Sequence, residues 1–489
     1  MKKYIPYFVL GIAIAFSGFL MITQSIRLDE SQSIWAATKP LTGIMEYTGS
    51  DVHVPLYFTL LHFWIQIFGT NIILLRSLSF IFYLLSIYLL YKVARESSNH
   101  ELALTTICIF SLSPFILWYS GEARMYTLFT FSTSLNHLFF LRMYRSDFKT
   151  SKFGYFLSAV LGFYTHYFFV FMIATQGLFV ISRAIKTRSE KERLLGLPKF
   201  FLKYVTLAGG AFLFLVPWLV YVLKLGKIGN STPSIGKPSS YDLFQSLANF
   251  LFGFQSQTIL AIVISLWPLI VVLLFLVFTR RKKSELSVLE YFAYTSFLPI
   301  IIIFLLSYIR PIFLSRYLIF ITPSLFFILA WVLINYSKKI SSLFVTGFFA
   351  FMLVLSVQQV VSAATPVKED YEGVTQYVST HARAQDIIAV TAPFTVYPIE
   401  YTYNGSARID TIPQWNRFAT GAIPTFSLTK LDAQMKEYRK IYQNVYIVLS
   451  YDQGYETDII HFMDTHYKLL QKKQFSPAVQ LREYKLRYD

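Results

Sequence analysis

Residues 5–30 read IPYFVLGIAIAFSGFLMITQSIRLDE, an apolar run that ends on a carboxylate pair, Asp29-Glu30. The run has the length a helix needs to cross a bilayer, about 20 residues. Residues 1–365 hold only thirteen of the 27 Asp and Glu, so two of them side by side at the end of an apolar segment is a costly placement. Ionisable groups at membrane depth usually mark function. A further acid, Glu122, follows another apolar run in Ser120-Gly121-Glu122-Ala123-Arg124-Met125-Tyr126. What the chain does depends on whether these acids emerge on the same side.

Composition points the same way. The 489 residues are 55% hydrophobic and 18% aromatic but only 15% charged, well under the roughly 25% of a soluble domain. The expected class is a polytopic α-helical membrane protein. The net charge of +17 sits wholly in the membrane part. Residues 1–365 carry 30 Lys and Arg against 13 acids, and residues 366–489 carry 14 against 14. Short cytoplasmic loops and anionic lipid account for that excess, and nucleic acid is not needed as a partner. The one cysteine, Cys108, lies inside an apolar run, so no disulfide framework or redox motif is present.

Apolar segments run at about 4–26, 71–91, 101–119, 123–141, 153–165, 167–182, 203–223, 257–278, 288–308, 317–335 and 342–362, which predicts about 11 transmembrane helices. The stretch Val54 to Phe68 is too short to cross. It is expected to lie flat on the interface, where Tyr57, His62 and Trp64 suit the headgroup level. With a cytoplasmic N-terminus, the inside loops then hold 21 basic residues and the outside loops nine. A crossing at 54–68 would invert every later loop, against the positive-inside rule. Lys2-Lys3 and the first apolar run lack an A-x-A-like cleavage site, so an uncleaved first span is expected. This topology puts Asp29, Glu30, Asp51, His53 and Glu122 outside, with Arg76, Arg124 and Arg316 among them.

Residues 1–365 are therefore expected to form the membrane domain, with a first outer loop at about 27–70, and residues 366–489 a small extracytoplasmic α/β domain. In the latter, Tyr371–Thr380, Leu431–Tyr442 and Thr457–Tyr467 read as helices, and Asp386–Val390 and Val445–Leu449 as buried strands. No Gly-rich phosphate loop, metal-spaced cluster or nucleophile elbow appears there. It reads as a lid or acceptor-docking domain.

The ordered motifs carry a resemblance. Arg27-Leu28-Asp29-Glu30 follows the first span. His53-Val54-Pro55-Leu56-Tyr57 follows in the same loop, and Arg76 opens the next span. Ser113-Pro114 precedes Tyr119 to Tyr126, and Ser315-Arg316-Tyr317 opens a late span. In this order they resemble the membrane-embedded GT-C glycosyltransferases of the protein O-mannosyltransferase and aminoarabinose-transferase type. The resemblance implies a polyprenyl-phosphate sugar donor and an acceptor protein, lipid or glycan on the outer face of the cell membrane. It implies Asp29 as general base or acceptor-orienting group, with Glu30 its common neighbour and Glu122 a further catalytic candidate. Arg76, Arg124 and Arg316 would hold the donor phosphate. Asp51, His53, Tyr57, Tyr126, His166 and Tyr317 would support the site. His53 to Tyr57 matches the family's His-Pro-Pro-Leu motif, with Val54 in place of the first proline.

The chemistry fits those residue types. Sugar transfer from a phosphate leaving group builds negative charge on phosphate, which guanidinium groups stabilise. A carboxylate takes the acceptor proton, and a single displacement inverts the anomeric centre. Other readings stay open. The arginines could be snorkelling anchors, Glu122 could pair with Arg124 or Arg76, and the lone His166 could be a satisfied interface residue. A divalent cation on Asp29, Asp51 and Glu122 is a further option, since a metal does not follow from the resemblance. The rival functions are a lipid-linked glycan ligase or polymerase, and a lipid or sugar flippase. A flippase would favour acids or broken helices at mid-membrane rather than at span exits.

Overall fold

The computed structural model describes residues 4–145, 148–186, 197–226, 236–265, 286–337, 342–362, 367–418 and 422–487. The chain divides into two compact units. The first gathers Met1–Ile22, Ile44–Ile228 and Thr232–Val361. The second is mainly Thr23–Gly43 and Ser362–Asp489.

The first unit is helical. Its elements begin with α1 (Ile5–Thr23). After α2 (Leu28–Ala37), which belongs to the second unit, and α3 (Leu41–Ser50), which straddles the boundary, come α4 (Leu56–Phe68), α5 (Ile72–Ser97), α6 (His100–Leu112) and α7 (Pro114–Ser120). Next are α8 (Tyr126–Arg145), α9 (Phe148–Thr165), α10 (Phe169–Lys186), α11 (Leu197–Leu225), α12 (Ser240–Phe252) and α13 (Gln257–Ser265). The series closes with α14 (Leu286–Leu306), a 3-10 turn at Ser315–Ile321, α15 (Thr322–Ser337) and α16 (Ser342–Val361). Among the described residues five helices are long and apolar enough to cross a membrane: Ile5–Thr23, Ile72–Ser97, Phe200–Leu225, Val288–Leu306 and Ser315–Asn335. The bent pair α6–α7 is a sixth if the two helices cross as one broken span. Helix α4 is apolar but short, as its 13 residues require. Of the expected span 257–278, residues 266–278 lie outside the described residues.

Three expectations need correction. The segment 101–119 is not one straight helix, since it bends by 64° between α6 and α7. Pro114 has no N–H to continue the ladder and pushes Ser113 out of the helical region, to φ −56° and ψ 122°. Ser113 caps the new helix, its hydroxyl accepting the Ile116 N–H at 3.3 Å and donating to the Phe250 carbonyl at 2.6 Å. The first outer loop, expected with one helix at 54–68, also carries α2 and α3 ahead of α4. Helix α12 was not expected at all. A capping box starts it, with Ser239 and Asp242 bonding reciprocally.

Helix directions follow from contacts. Ser79 meets Arg124, Ser86 meets Thr130 and Glu96 meets Arg142, the numbers climbing together, so α5 and α8 run parallel. Arg76 and Arg124 therefore lie at one end of this pair, and the Glu96–Arg142 ion pair at the other. Lipid supplies no hydrophobic force between helices, so packing and polar contacts join them. A fully buried polar chain links five of them. Asn136 donates to Ser158 (3.1 Å), Gln176 to Asn136 (2.8 Å) and to Tyr291 (2.9 Å). His137 bridges Tyr291 (2.7 Å) and Ser324 (2.9 Å), and Ser324 meets Thr295 (2.8 Å).

The second unit carries a five-stranded mixed sheet. After α17 (Tyr371–His381) come β1 (Ile387–Thr391), α18 (Val396–Thr402), β2 (Arg408–Ile412), α19 (Leu428–Ile441) and β3 (Asn444–Leu449). Helix α20 (Glu456–His466), β4 (Lys468–Ser476) and β5 (Val479–Lys485) complete it. The order is β2-β1-β3-β5-β4. Strands β1, β2 and β3 are parallel, and β5 runs antiparallel to β3 and β4. Alternate strand residues build two cores. Ile387, Ala389, Val445 and Ile447 pack on α19 and α20. Ile388, Val390, Tyr446 and Val448 pack on α17 and α18. Strand β4 is exposed at the sheet edge, where Lys468, Lys472 and Lys473 discourage further pairing.

Candidate active site

The first unit gathers most of the expected donor-side residues at the α5 and α8 starts. The segment Gly121–Met125 is an irregular, wholly buried turn between α7 and α8. Gly121 lies where a Cβ would press on the Met21 nitrogen at 3.3 Å, so a bulkier residue would push the end of α1 away. Arg76, 1% exposed, donates to the Met21 carbonyl at 3.0 Å and so caps that same end. Glu122 and Arg124 are each 4% exposed, and the Arg124 N–H donates to the Glu122 carbonyl at 2.7 Å. The Ser79 hydroxyl donates to the Arg124 carbonyl (3.2 Å) and meets the Tyr57 hydroxyl (2.8 Å), which ties α4, α5 and the turn together.

The Arg124 guanidinium lies 3.4 Å from His53 Nε2. The same His53 nitrogen is 3.8 Å from the Asp51 carboxylate. Tyr126 places its ring 5.8 Å from the Arg124 guanidinium. His166 stands in the turn between α9 and α10. Its Nδ1 accepts the Phe168 N–H at 3.1 Å, so in the neutral ring the proton is on Nε2. The ring stacks on Phe129 at 4.8 Å and leans on Tyr317 at 5.3 Å. Arg316 is half-buried, 5.6 Å from the Tyr317 ring. Its neighbour Ser315 is held by Ser246 (2.9 Å) and Asn249 (3.3 Å) of α12. Asp51, His53, Arg124 and Tyr126 thus form one run of contacts, and His166, Tyr317 and Arg316 a second. Sequence reasoning missed Ser79, Ser246 and Asn249, which are ordinary helix residues until the fold gives them something to hold.

The second unit holds Asp29 and Glu30, both in the first turn of α2. They differ sharply. Glu30 is fully buried, and its carboxylate accepts the Arg27 N–H at 3.4 Å as the third-position acid of a capping box. Asp29 is half-buried, and its own carbonyl accepts the Ser33 hydroxyl at 2.9 Å. Glu369 also reaches this turn, its Oε2 accepting the Leu28 N–H at 3.1 Å and its Oε1 accepting the Tyr451 hydroxyl. Burial raises the Glu369 carboxyl above its ordinary range, against the pull of its hydrogen bonds and of Arg27. Burial, then the Arg27 charge, brings Lys368 down to about 7. No sequence signal marked Lys368, Glu369 or Tyr451. Among the described residues no three His, Cys, Asp or Glu are grouped as metal ligands.

A family model described as dolichyl-phosphate-mannose-protein mannosyltransferase matches residues 52–221. The fold matches over its whole length that of ArnT from Cupriavidus metallidurans in the apo state. The TM-score is 0.60 at 12% identity, over 99% of this chain and 98% of that one. The same protein bound to undecaprenyl phosphate gives 0.59 at 11%, over 98% and 97%. Residues 52–221 thus resemble that mannosyltransferase family, and the chain as a whole has the ArnT fold. A more distant likeness is the Archaeoglobus fulgidus oligosaccharyltransferase, with a TM-score of 0.48 at 12% identity, over 90% of this chain and 67% of that one. No curated protein sequence matches significantly. The family match takes in His53, Tyr57, Arg76, Glu122, Arg124, Tyr126 and His166. It leaves Asp29, Glu30, Asp51, Arg316 and Tyr317 outside its limits.

Proposed function

We propose that this chain is a GT-C glycosyltransferase that moves a sugar from a polyprenyl-phosphate donor to an acceptor at the outer face of the membrane, inverting the anomeric centre. The observation that carries this is the buried Arg124 guanidinium beside His53, at the end of a broken helix in an apolar bundle. A planar guanidinium held in place presents a fork that matches phosphate oxygens. A lipid-linked phosphate arriving from the bilayer is such a partner, and undecaprenyl phosphate is what the ArnT structure binds. Arg124 and Arg316 take the donor phosphate in this reading. Arg76 stands behind them and fixes the end of α1. As the donor bond breaks, charge grows on the phosphate oxygens, and the preset guanidinium groups stabilise it without reorganising.

Asp29 takes the acceptor proton or orients the acceptor hydroxyl, and Glu30, buried as a cap, keeps α2 in place. Glu122, held in the Gly121–Met125 turn, is the second candidate for the acid. About eleven spans with a cytoplasmic N-terminus and an outer C-terminal α/β domain, 366–489, complete the reading. The Lys92, Arg95, Arg142 and Arg145 set at the far end of α5 and α8 supports it. The test is mass spectrometry of surface glycans and glycoproteins from cells with and without the gene. Loss of one sugar from one glycan class names donor and acceptor together, whereas unchanged glycans sink the proposal.

A further inference from the structure

Strand β1 has β2 on one side and β3 on the other, so the chain's path reverses at β1. In open parallel sheets the crevice at such a switch point, at the carboxyl ends of the strands, is where ligands and chemistry gather. Ala392 directly follows β1, and Tyr451 lies two residues past the end of β3. They are the non-glycine residues with positive φ among those described, at 51° and 55°. Left-handed backbone at a residue with a Cβ is strained and persists where the surroundings impose it.

Tyr451 uses that conformation to reach Glu369. Its hydroxyl donates to Glu369 Oε1, and Glu369 Oε2 accepts the Leu28 N–H. Leu28 is the first residue of α2, and its N–H has no partner within the helix. The next residue is Asp29. Both outer members are braced one residue away. Tyr371, fully buried, meets Ser450 at 2.9 Å. Asp370 caps α17 through Gly373 at 2.8 Å and donates its own N–H to Ser476. The bland alternative is an ordinary cap on α2. A cap alone needs neither a desolvated carboxylate brought from 341 residues away in sequence nor a strained tyrosine to hold it.

We propose that Glu369 and Tyr451 are positioning residues for Asp29. Together they fix the first turn of α2 and so the setting of the carboxylate that receives the acceptor proton. This rests on Asp29 having that role. The C-terminal domain is then part of the catalytic apparatus rather than only a cover over it.

The test uses the full-length protein in deletion cells, with transfer read as the glycan mass shift that the gene produces and protein amount by immunoblot. Asp29→Asn should lose about 100-fold, the scale of a general base. Glu369→Ala should lose about tenfold or more by misplacement. Glu369→Gln, which keeps an acceptor for Leu28, should recover most of that loss. The double variant D29N/E369A should be no worse than D29N alone. Hydrogen exchange at Leu28–Ser31 of the purified protein should quicken in E369A but not in E369Q. Transfer near the parent rate in E369A while D29N is inactive overturns the positioning role and leaves Asp29 intact. Losses that multiply in the double variant also overturn it. An active D29N removes the Asp29 assignment and this inference with it. If E369A does not accumulate, Tyr451→Phe replaces it, with an expected loss of about threefold that vanishes in the D29N background.

Discussion

Arg124 and Asp29 ask different things of their surroundings. Arg124 is buried, with His53, Tyr126 and the Ser79-held turn around it. Its forked, planar charge suits a phosphate, and a lysine in its place would offer one point charge and no fork. We expect Arg124→Ala to raise the apparent donor requirement by about 10- to 150-fold, the equivalent of 1.5–3 kcal/mol for a charge-assisted contact. Arg124→Lys should recover only part of this. Titration of polyprenyl-phosphate donor against purified variants measures it, and unchanged curves for both would make Arg124 a structural residue. At the acid pair, Glu30 is wholly buried and Asp29 is not. Glu30→Gln keeps an oxygen for the Arg27 N–H, so it should cost far less turnover than Asp29→Asn, whose loss is about 100-fold. Equal losses in a turnover assay would contradict that division. The rarity of acids before residue 365 made Asp29, Glu30 and Glu122 visible in the sequence. Glu369 was invisible for the opposite reason, because it is one of fourteen acids in the tail and only the fold brings it to Leu28.

Elements were legible where one period ran uninterrupted. Helices α1, α5, α8 and α14, and strands β1 and β3, carry long apolar runs or fully buried strand patterns. The bend between α6 and α7 was hidden, since hydropathy averages across a proline and Ser113-Pro114 sits inside a continuous apolar stretch. Helix α12 was hidden because SYDLFQSLANFLF mixes polar and apolar residues and is too short to cross. Strands β4 and β5 were missed because β4, KLLQKKQFS, lies exposed at the edge and has no buried face to set a pattern. The polar chain through Asn136, Gln176, Tyr291, His137 and Ser324 could not be read from sequence either, as its members come from α8, α10, α14 and α15. Measured couplings of such contacts in membrane proteins are small, about 0.6 kcal/mol on average and at most about 1.7. Ser324→Ala should therefore lower stability only within that range. His137→Leu should cost more, because it leaves the buried Tyr291 and Ser324 hydroxyls each short of a partner. Thermal unfolding in detergent ranks the two, and the reverse order would show that the chain is not what registers these helices.

At the scale of the whole molecule, charge distribution carries two separate expectations. The first concerns the membrane. With Cys108 replaced by serine, a cysteine at position 51 should react with an impermeant thiol reagent added to intact cells, and one at position 98 should not. The basis is the split of Arg76 and Arg124 from Arg95, Arg142 and Arg145 along the parallel pair α5 and α8. Labelling at 98 alone would invert the orientation.

The second concerns the C-terminal unit. The Lys368 amine ordinarily titrates at 10.5, and in the fold burial and Arg27 bring it down to about 7. Between these values the unfolded chain binds a proton that the folded chain does not. Stability must then rise with pH across that window. Below about 7 both states are protonated, and this group adds no further slope. Glu369 acts in the other direction and lower on the scale. Its raised carboxyl lets the folded state hold a proton that the unfolded state has lost, so its contribution falls as pH climbs above the usual carboxylate range. The net expectation is a C-terminal unit that gains protection from about pH 7 upward. Hydrogen exchange of β1 and β3 amides in the full chain, corrected for intrinsic rates and measured from pH 6 to 9, reads it directly. Lys368→Met should flatten the rise, because the group that links the proton to the fold is gone. A slope that survives in the Met variant would place its origin elsewhere and would mean that Lys368 keeps its proton beside Arg27.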